Sequence, residues 1–246
     1  MDTQATLDLL KELRLHGMAR AYEGLQAMPK QEHPSAGQLI ARLADAEAQY
    51  RAGQKTEMNL KLSKLRYNAV LEQVHCSAGR NLDKETLLTL SDCSFITRAE
   101  NILITGATGC GKSYLACAIG RQACIMGFRV LYFGMNRFLE KITMSKVDGS
   151  FIKMLNQFDK TPLVIFDDFG MYPVDNATKL ALLQILEDRY GKRSIVITSQ
   201  LPVSKWYDYI NEPTIADAIM DRLVHSAQRI ELKGESLRKN KPMYQN

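Results

Sequence analysis

The chain has 246 residues, 46% of them hydrophobic and 24% charged, and its 32 Lys and Arg exceed its 27 Asp and Glu to give a formal net charge of +5. These values are typical of a globular protein and exclude a disordered, collagen-like or coiled-coil chain. No apolar run approaches the roughly 20 residues that span a bilayer, and the first residues lack the apolar block of a signal peptide. We therefore expect a cytoplasmic protein with no membrane partner.

The N-terminal part of the chain has the hydrophobic spacing of α-helices. Apolar residues at three- and four-residue spacings predict one amphipathic helix over residues 3–28, and a capping-box pattern at Ser35 predicts the start of a second helix. After these helices the pattern changes. We therefore expect a helical domain at 1–78, a linker at 79–98 and an α/β domain at 99–246.

Short apolar strands alternate with helical segments in the α/β domain, which is the pattern of a parallel sheet covered by helices. The predicted helices between them begin near residues 112, 136, 151, 176 and 214. Five strands are predicted: Ile102–Thr105, Arg129–Phe133, Leu163–Phe166, Ser194–Thr198 and Arg229–Lys233.

A phosphate-binding loop is the clearest motif in the sequence. Residues 106–113, Gly-Ala-Thr-Gly-Cys-Gly-Lys-Ser, match GxxxxGK[ST] in full, directly after a predicted strand and at the start of a predicted helix. Backbone N–H groups of such a loop and the positive end of the helix bind phosphate, Lys112 reaches the β- and γ-phosphates, and the Ser113 hydroxyl holds Mg²⁺. ATP and Mg²⁺ are therefore the expected cofactors. The predicted nucleotide-binding residues are Gly106, Ala107, Thr108, Gly109, Cys110, Gly111, Lys112, Ser113 and Tyr114.

Two carboxylates follow the buried strand that ends at Phe166. Because parallel strands end at the edge of the sheet where ligands bind, we assign Asp167 to Mg²⁺ and Asp168 to orienting or deprotonating the attacking water. A further strand ends in Ser199 and Gln200, either of which suits a hydrogen bond to that water or to the γ-phosphate. An extra strand between the phosphate-loop strand and the acidic strand is typical of the additional-strand class of P-loop ATPases.

The segments GATGCGKSYLA, LVIFDDFG, IVITSQLP and ADAIMDRLVHSAQRIELKGESLRK together resemble the IstB family of AAA+ ATPases, which is related to the DnaC helicase loaders. The resemblance implies an AAA+ module with a five-stranded parallel sheet, preceded by a small all-α domain that binds the partner. Because the sequence ends shortly after the last predicted strand, we expect no C-terminal lid. The resemblance also implies ATP hydrolysis, and we expect modest turnover, stimulated by DNA or by a partner, because Asp168 is one methylene shorter than the usual Glu. Such a protein binds duplex DNA largely without sequence preference, forms homo-oligomers on it, and recruits or stimulates the transposase of an insertion sequence.

The resemblance also assigns an arginine finger that acts on the site of a neighbouring subunit. It corresponds to Arg222, because the planar, permanently charged guanidinium can bridge γ-phosphate oxygens. The alternative is that Arg222 only pairs with Asp221 or Asp217 on its own helix. One departure from the general AAA+ pattern is Asp168, since Glu usually occupies the position of the base.

Three lysines between the second and third strands are candidates for DNA contact. The resemblance to initiator-type AAA+ proteins places a helical insertion here, and we expect Lys141, Lys146 and Lys153 to meet DNA phosphates. The alternative is an exposed helical pair with ordinary solvated lysines. The sequence ends in a basic tail that contains Arg238, Lys239 and Lys241. This tail is either solvated or in contact with DNA or a subunit interface.

Other functions are compatible with the same motifs. The first is a DnaC-like loader of a replicative helicase, which would use the N-terminal helices to bind its partner. A second is a nucleotide-gated binding module with negligible hydrolysis. A small-molecule kinase would require an acceptor pocket and a lid that the sequence does not indicate.

Overall fold

A computed structural model describes residues 3–29, 31 and 33–237. Contacts within the chain divide it into two compact units, Met1–Met58 and Asn59–Asn246. The basic tail that the sequence suggested as a DNA or interface contact lies outside the described residues. In the part of the chain that the structure describes, no helix is both long and apolar enough to cross a membrane.

The N-terminal unit contains two helices where the sequence predicted one over residues 3–28, so that prediction is wrong. Helix α1 (Thr3–Glu12) ends at a turn in which Arg14 has a φ of 58°, and α2 (His16–Gln26) starts afresh. The left-handed Arg14 breaks the run of helical hydrogen bonds, although the apolar spacing continues across it. The predicted capping box is confirmed, because the Ser35 backbone N–H donates to Gln38 Oε1 over 3.0 Å just before α3 (Ala36–Ser63).

Residues 59–98 belong to the second unit, whereas the sequence placed 59–78 in the helical domain and 79–98 in a linker. The segment forms α4 (Lys84–Ser91) and α5 (Ser94–Thr97), and the Asp83 carboxylate caps α4 by accepting from the Thr86 N–H at 2.7 Å. Its apolar side chains join the core of the unit, so it is not a free linker. Those that are buried there are Ala69, Leu71, Leu82, Leu90, Phe95 and Ile96.

The second unit is built on a five-stranded parallel sheet with the order β2-β3-β4-β1-β5. This order confirms the predicted fold class, because β4 lies between the phosphate-loop strand β1 and the acidic strand β3. All five predicted strands are present, with ends within a few residues of those predicted. They are β1 (Asn101–Gly106), β2 (Val130–Gly134), β3 (Leu163–Phe169), β4 (Ser194–Ser199) and β5 (Ala227–Leu232).

Helices cover both faces of this sheet. Alternate strand residues point to opposite faces, so that Ile165 packs in one hydrophobic cluster with α6, while Val164 and Phe166 pack in a second cluster with the later helices. In the described residues β5 is the last element. The helices of the sheet are α6 (Lys112–Ile125), α7 (Met135–Val147), α8 (Phe151–Lys160), α9 (Asn176–Arg189), α10 (Trp206–Ile210) and α11 (Pro213–Val224).

Candidate functional site

The phosphate loop connects the end of β1 to the start of α6 and depends on glycine geometry. Gly106 has a φ of 145°, and a Cβ there would lie 2.2 Å from the Leu232 carbonyl oxygen. Gly109 has a φ of 83°, and a Cβ there would lie 2.1 Å from Ser236 Oγ. A side chain at either position would therefore clash and adopt an unfavourable backbone conformation. The tight turn places the N-terminus of α6 at the carboxyl edge of the sheet.

Lys112 is buried at the base of this loop. Its Nζ donates to the carbonyl oxygens of Gly106 and Ala107, each over 2.9 Å, and the residue is 5% exposed. The loop therefore already holds the ammonium group that the sequence assigned to the β- and γ-phosphates. A charged donor in this position can bind phosphate oxygens without a large movement of the chain.

Asp167 is the best-anchored side chain of the site. It is fully buried at the end of β3, and its Oδ1 accepts from Ser113 Oγ over 2.8 Å. Its Oδ2 accepts from the Tyr132 hydroxyl at 2.5 Å, and the Thr198 hydroxyl also contacts Oδ1. The two predicted Mg²⁺ ligands are thus brought together. Hydroxyl and carboxylate oxygens are the ligand types that Mg²⁺ prefers, so the residues present fit this ion.

Tyr132 and Thr198 were not found from the sequence. They lie near the carboxyl ends of β2 and β4, the two strands that flank β3, and the sheet register brings them beside Asp167. Burial and then the negative charge of Asp167 raise the pKa of the Tyr132 phenol, so it keeps its proton and remains a donor. The sequence signal that could have indicated these two residues is a polar side chain near the end of a strand that is predicted to lie next to β3.

Asp168 differs from its neighbour in exposure and backbone. Its side chain is 24% exposed, its φ is 64°, and its backbone N–H donates to Thr198 Oγ1 over 3.1 Å. The pairing of β3 with β4 is irregular between Phe166 and Phe169. The left-handed residue lets two consecutive carboxylates occupy different environments, one buried and one open to the cavity.

Of the two polar residues predicted after β4, only Gln200 faces the phosphate loop. Its Oε1 accepts from Thr108 Oγ1 over 2.8 Å. Ser199 is fully buried, and its hydroxyl donates to the Phe169 carbonyl oxygen over 2.6 Å, so it stabilises the strand end instead.

A cavity of about 710 Å³ opens above these groups. Thr108, Lys112 and Ser113 line it together with Asp168 and Gln200, so the predicted phosphate and water-activating residues share one space. A volume of this size is typical of small-molecule sites. The cavity is also lined by Tyr67 and Tyr114, whose ring centroids are 6.5 Å apart.

Arg222 does not reach this cavity in its own chain. Its guanidinium lies on α11, 2.6 Å from Glu187 Oε1 and 3.7 Å from Asp221 Oδ2, and Nη1 donates to the Ala218 carbonyl oxygen over 2.9 Å. The pairing with Asp221 was the alternative drawn from the sequence, while the closer contact with Glu187 was not foreseen.

The three candidate DNA-contacting lysines are placed differently. Lys141 and Lys153 line one depression of about 520 Å³ between α7 and α8. Lys146 does not line this depression; its Nζ lies 5.3 Å from the Phe151 ring centroid and 3.4 Å from the Ala177 carbonyl oxygen, while the Lys141 Nζ lies 5.7 Å from the Phe133 ring centroid. The structure therefore brings two of the three together.

Comparison with known proteins identifies the family. Residues 8–244 match the family model described as IstB-like ATP binding protein. A Sinorhizobium fredii protein, named as an insertion sequence ATP-binding protein, is 41% identical over 235 residues, which is 96% of each chain.

Two solved structures share the fold. The chain resembles a DnaC helicase loader (TM-score 0.55, 19% identity, 69% of this chain and 99% of that one). It also resembles the replication initiator DnaA bound to AMPPCP and single-stranded DNA (TM-score 0.59, 18% identity, 70% of this chain and 52% of that one). With an AAA+ sheet and a complete phosphate loop, and with a family match over nearly its whole length, the chain belongs to the IstB-like ATP-binding proteins.

Proposed function

We propose that the protein hydrolyses ATP to ADP and phosphate at the carboxyl edge of its sheet. The observation that carries this proposal is the 2.8 Å contact between Ser113 and Asp167 below the phosphate loop, with Asp168 open to the same cavity. Lys112 binds the β- and γ-phosphates. Ser113 and Asp167 hold Mg²⁺, which when bound neutralises charge on the phosphate oxygens.

Asp168 and Gln200 act on the attacking water. The Asp168 carboxylate accepts the proton of the water as its oxygen bonds to the γ-phosphorus and the bond to the β-phosphate oxygen breaks. Gln200, already bonded to Thr108 of the loop, orients the water or the γ-phosphate through its amide. Tyr132 and Thr198 keep Asp167 fixed during this step, since their hydroxyls contact both of its oxygens.

Assembly of several subunits completes the site. The Arg222 side chain lies on the surface of α11 and is 24% exposed. We propose that its guanidinium separates from Glu187 and contacts the γ-phosphate bound to a neighbouring subunit. An arginine delivered by a neighbour makes hydrolysis depend on assembly.

We further propose that the assembly binds duplex DNA and stimulates the transposase of an insertion sequence. Support comes from the insertion-sequence name of the 41% identical relative and from the paired positions of Lys141 and Lys153. Lysines on a helical surface contact phosphates rather than base edges, so the binding has little sequence preference. ATP-driven oligomerisation sums many such weak contacts.

The decisive experiment measures ATP hydrolysis alone, with duplex DNA, and with DNA plus an insertion-sequence transposase, the partner proposed here. Stimulation by DNA and further stimulation by the transposase is the expected result, with Lys112→Ala as the inactive control. ATP-dependent binding to a replicative helicase instead would assign the helicase-loader function. Tight nucleotide binding with no hydrolysis under any condition would assign a nucleotide-gated binding module.

A further inference from the structure

Arg66 contacts the acidic pair and has no role in the site described above. It lies shortly after the end of α3, and its Nη1 is 3.5 Å from Asp168 Oδ2 and 3.7 Å from Asp167 Oδ2. The guanidinium carbon is 5.3 Å from the centroid of the Tyr67 ring, so the side chain is supported on one side while 48% of it stays exposed.

The contact matters because Asp167 is fully buried. A buried carboxylate is strongly destabilised unless a positive charge compensates it. The hydroxyls around Asp167 supply hydrogen bonds but no charge, and the Lys112 ammonium is bonded to loop carbonyls instead. Arg66 supplies positive charge beside the carboxylates, and arginine keeps that charge at any physiological pH.

The position of Arg66 conflicts with a divalent cation at Ser113 and Asp167. Two positive charges near one carboxylate repel each other, and the repulsion is several times stronger near a protein surface than in bulk water. Keeping Arg66 beside the carboxylates therefore raises the free energy of the metal-bound protein. Its exposed, flexible side chain is able to leave without disturbing the core.

We propose that Arg66 is the counter-ion of the acidic pair in the nucleotide-free protein, and that it gives up this position when Mg·ATP binds. The proposal rests on the proposed ATP·Mg²⁺ site and adds a residue that competes with the metal. Metal occupancy is thereby coupled to the position of the Arg66 side chain.

The test is a Mg²⁺ titration of the binding of a fluorescent, non-hydrolysable ATP analogue to the full chain. Arg66→Ala lowers the half-saturating Mg²⁺ concentration by about three- to tenfold, because no cation has to be displaced. Arg66→Lys keeps the charge and stays near the wild type. Arg98→Ala is the matched control, since Arg98 pairs with Glu100 outside the site. An unchanged or higher Mg²⁺ requirement in Arg66→Ala overturns the proposal.

Thermal unfolding separates this role from a purely structural one. The nucleotide-free Arg66→Ala variant melts below the wild type, and the difference disappears with saturating Mg²⁺ and analogue. An equal loss of stability in both states contradicts the proposal and indicates a packing role. Failure of the wild-type chain to bind the analogue in a Mg²⁺-dependent way would refute the proposed ATP site itself, so the two ideas fail in different measurements.

Discussion

The carboxyl edge of the sheet and the surface formed by α7 and α8 differ in how firmly they hold their functional side chains. At the edge, Asp167 is fully buried and contacts three hydroxyl groups. On the α7–α8 surface, Lys141 and Lys153 share an open depression. Phosphoryl transfer requires fixed geometry, whereas binding to the DNA backbone requires mainly charge. Substitutions should therefore have large, specific effects at the edge and smaller, additive effects on the surface.

The strongest test of this difference is Asp167→Asn. Loss of the negative charge at the buried carboxylate that is proposed to hold Mg²⁺ should reduce ATP hydrolysis by about 100- to 1,000-fold, the range found when one essential electrostatic group is removed. Steady-state phosphate release with and without duplex DNA measures it. Asp208→Asn, an exposed acid paired with Lys205, is the control and should retain normal activity. Retention of a large part of the activity in Asp167→Asn would contradict the assigned role.

Arg222→Ala tests whether the proposed ATP site at the carboxyl edge of the sheet is complete within one subunit. Hydrolysis should fall by about 100-fold, less than the loss of many arginine fingers, because Glu187 competes for the guanidinium. Analogue binding should stay close to that of the wild type. Mixing Arg222→Ala with Lys112→Ala should restore part of the activity, since one variant provides the intact phosphate loop and the other the arginine. If the mixture is as inactive as each variant alone, Arg222 does not act in trans.

Tyr132→Phe sharpens the comparison by removing one hydroxyl and leaving the ring in place. Removal of a positioning group of this kind lowers metal affinity or activity by about 10- to 100-fold. Because Thr198 and Ser113 still contact Asp167, we expect a loss near the lower end of this range. The loss should appear in the Mg²⁺ concentration needed for half-maximal hydrolysis. A change confined to thermal stability would show that the hydroxyl serves packing alone.

The smallest effect is expected on the α7–α8 surface. Charge reversal at Lys141 and Lys153 should weaken duplex binding by about tenfold and reduce the salt slope by about 2, roughly 0.9 for each lost phosphate contact. Hydrolysis without DNA should not change. The double reversal Lys192→Glu and Arg193→Glu, at exposed sites in the loop before β4, changes the net charge by the same amount and is the control. Identical DNA affinity and salt slope in the variant reversed at Lys141 and Lys153 and in the control would remove this surface as the DNA contact.

Sequence patterns predicted what is local or periodic in the chain. The phosphate loop, the acidic pair and the five strands were found from short motifs and apolar runs, and the structure contains the strands. The order of the strands was inferred from the class of P-loop ATPases, and the sheet confirms it. The sequence could not predict which side chains meet across strands, because Tyr132 and Thr198 approach Asp167 only through the register of the neighbouring strands. The sequence around Arg66 likewise gave no indication that this residue lies beside the two carboxylates.

Helix boundaries failed for a related reason. The apolar spacing over residues 3–28 continues through the turn at Arg14, so periodicity alone could not reveal the break. The segment 79–98 is predicted as a linker because the pattern changes after residue 79 and the α/β pattern starts only near residue 100, yet its buried Leu82, Leu90 and Phe95 belong to the core. Such burial depends on tertiary packing that single-sequence patterns do not contain.

The left-handed backbone at Asp168 bears on which acid can serve there. Asp adopts this conformation more readily than most residues with a side chain, because its short polar group can bond locally, and Glu lacks that advantage. Asp168→Glu would therefore do more than extend the carboxylate by one methylene, since it would also strain the irregular junction between β3 and β4. The identity of this acid is selected by chain conformation as well as by reach, and exchanging it calls for a compensating change in the strand.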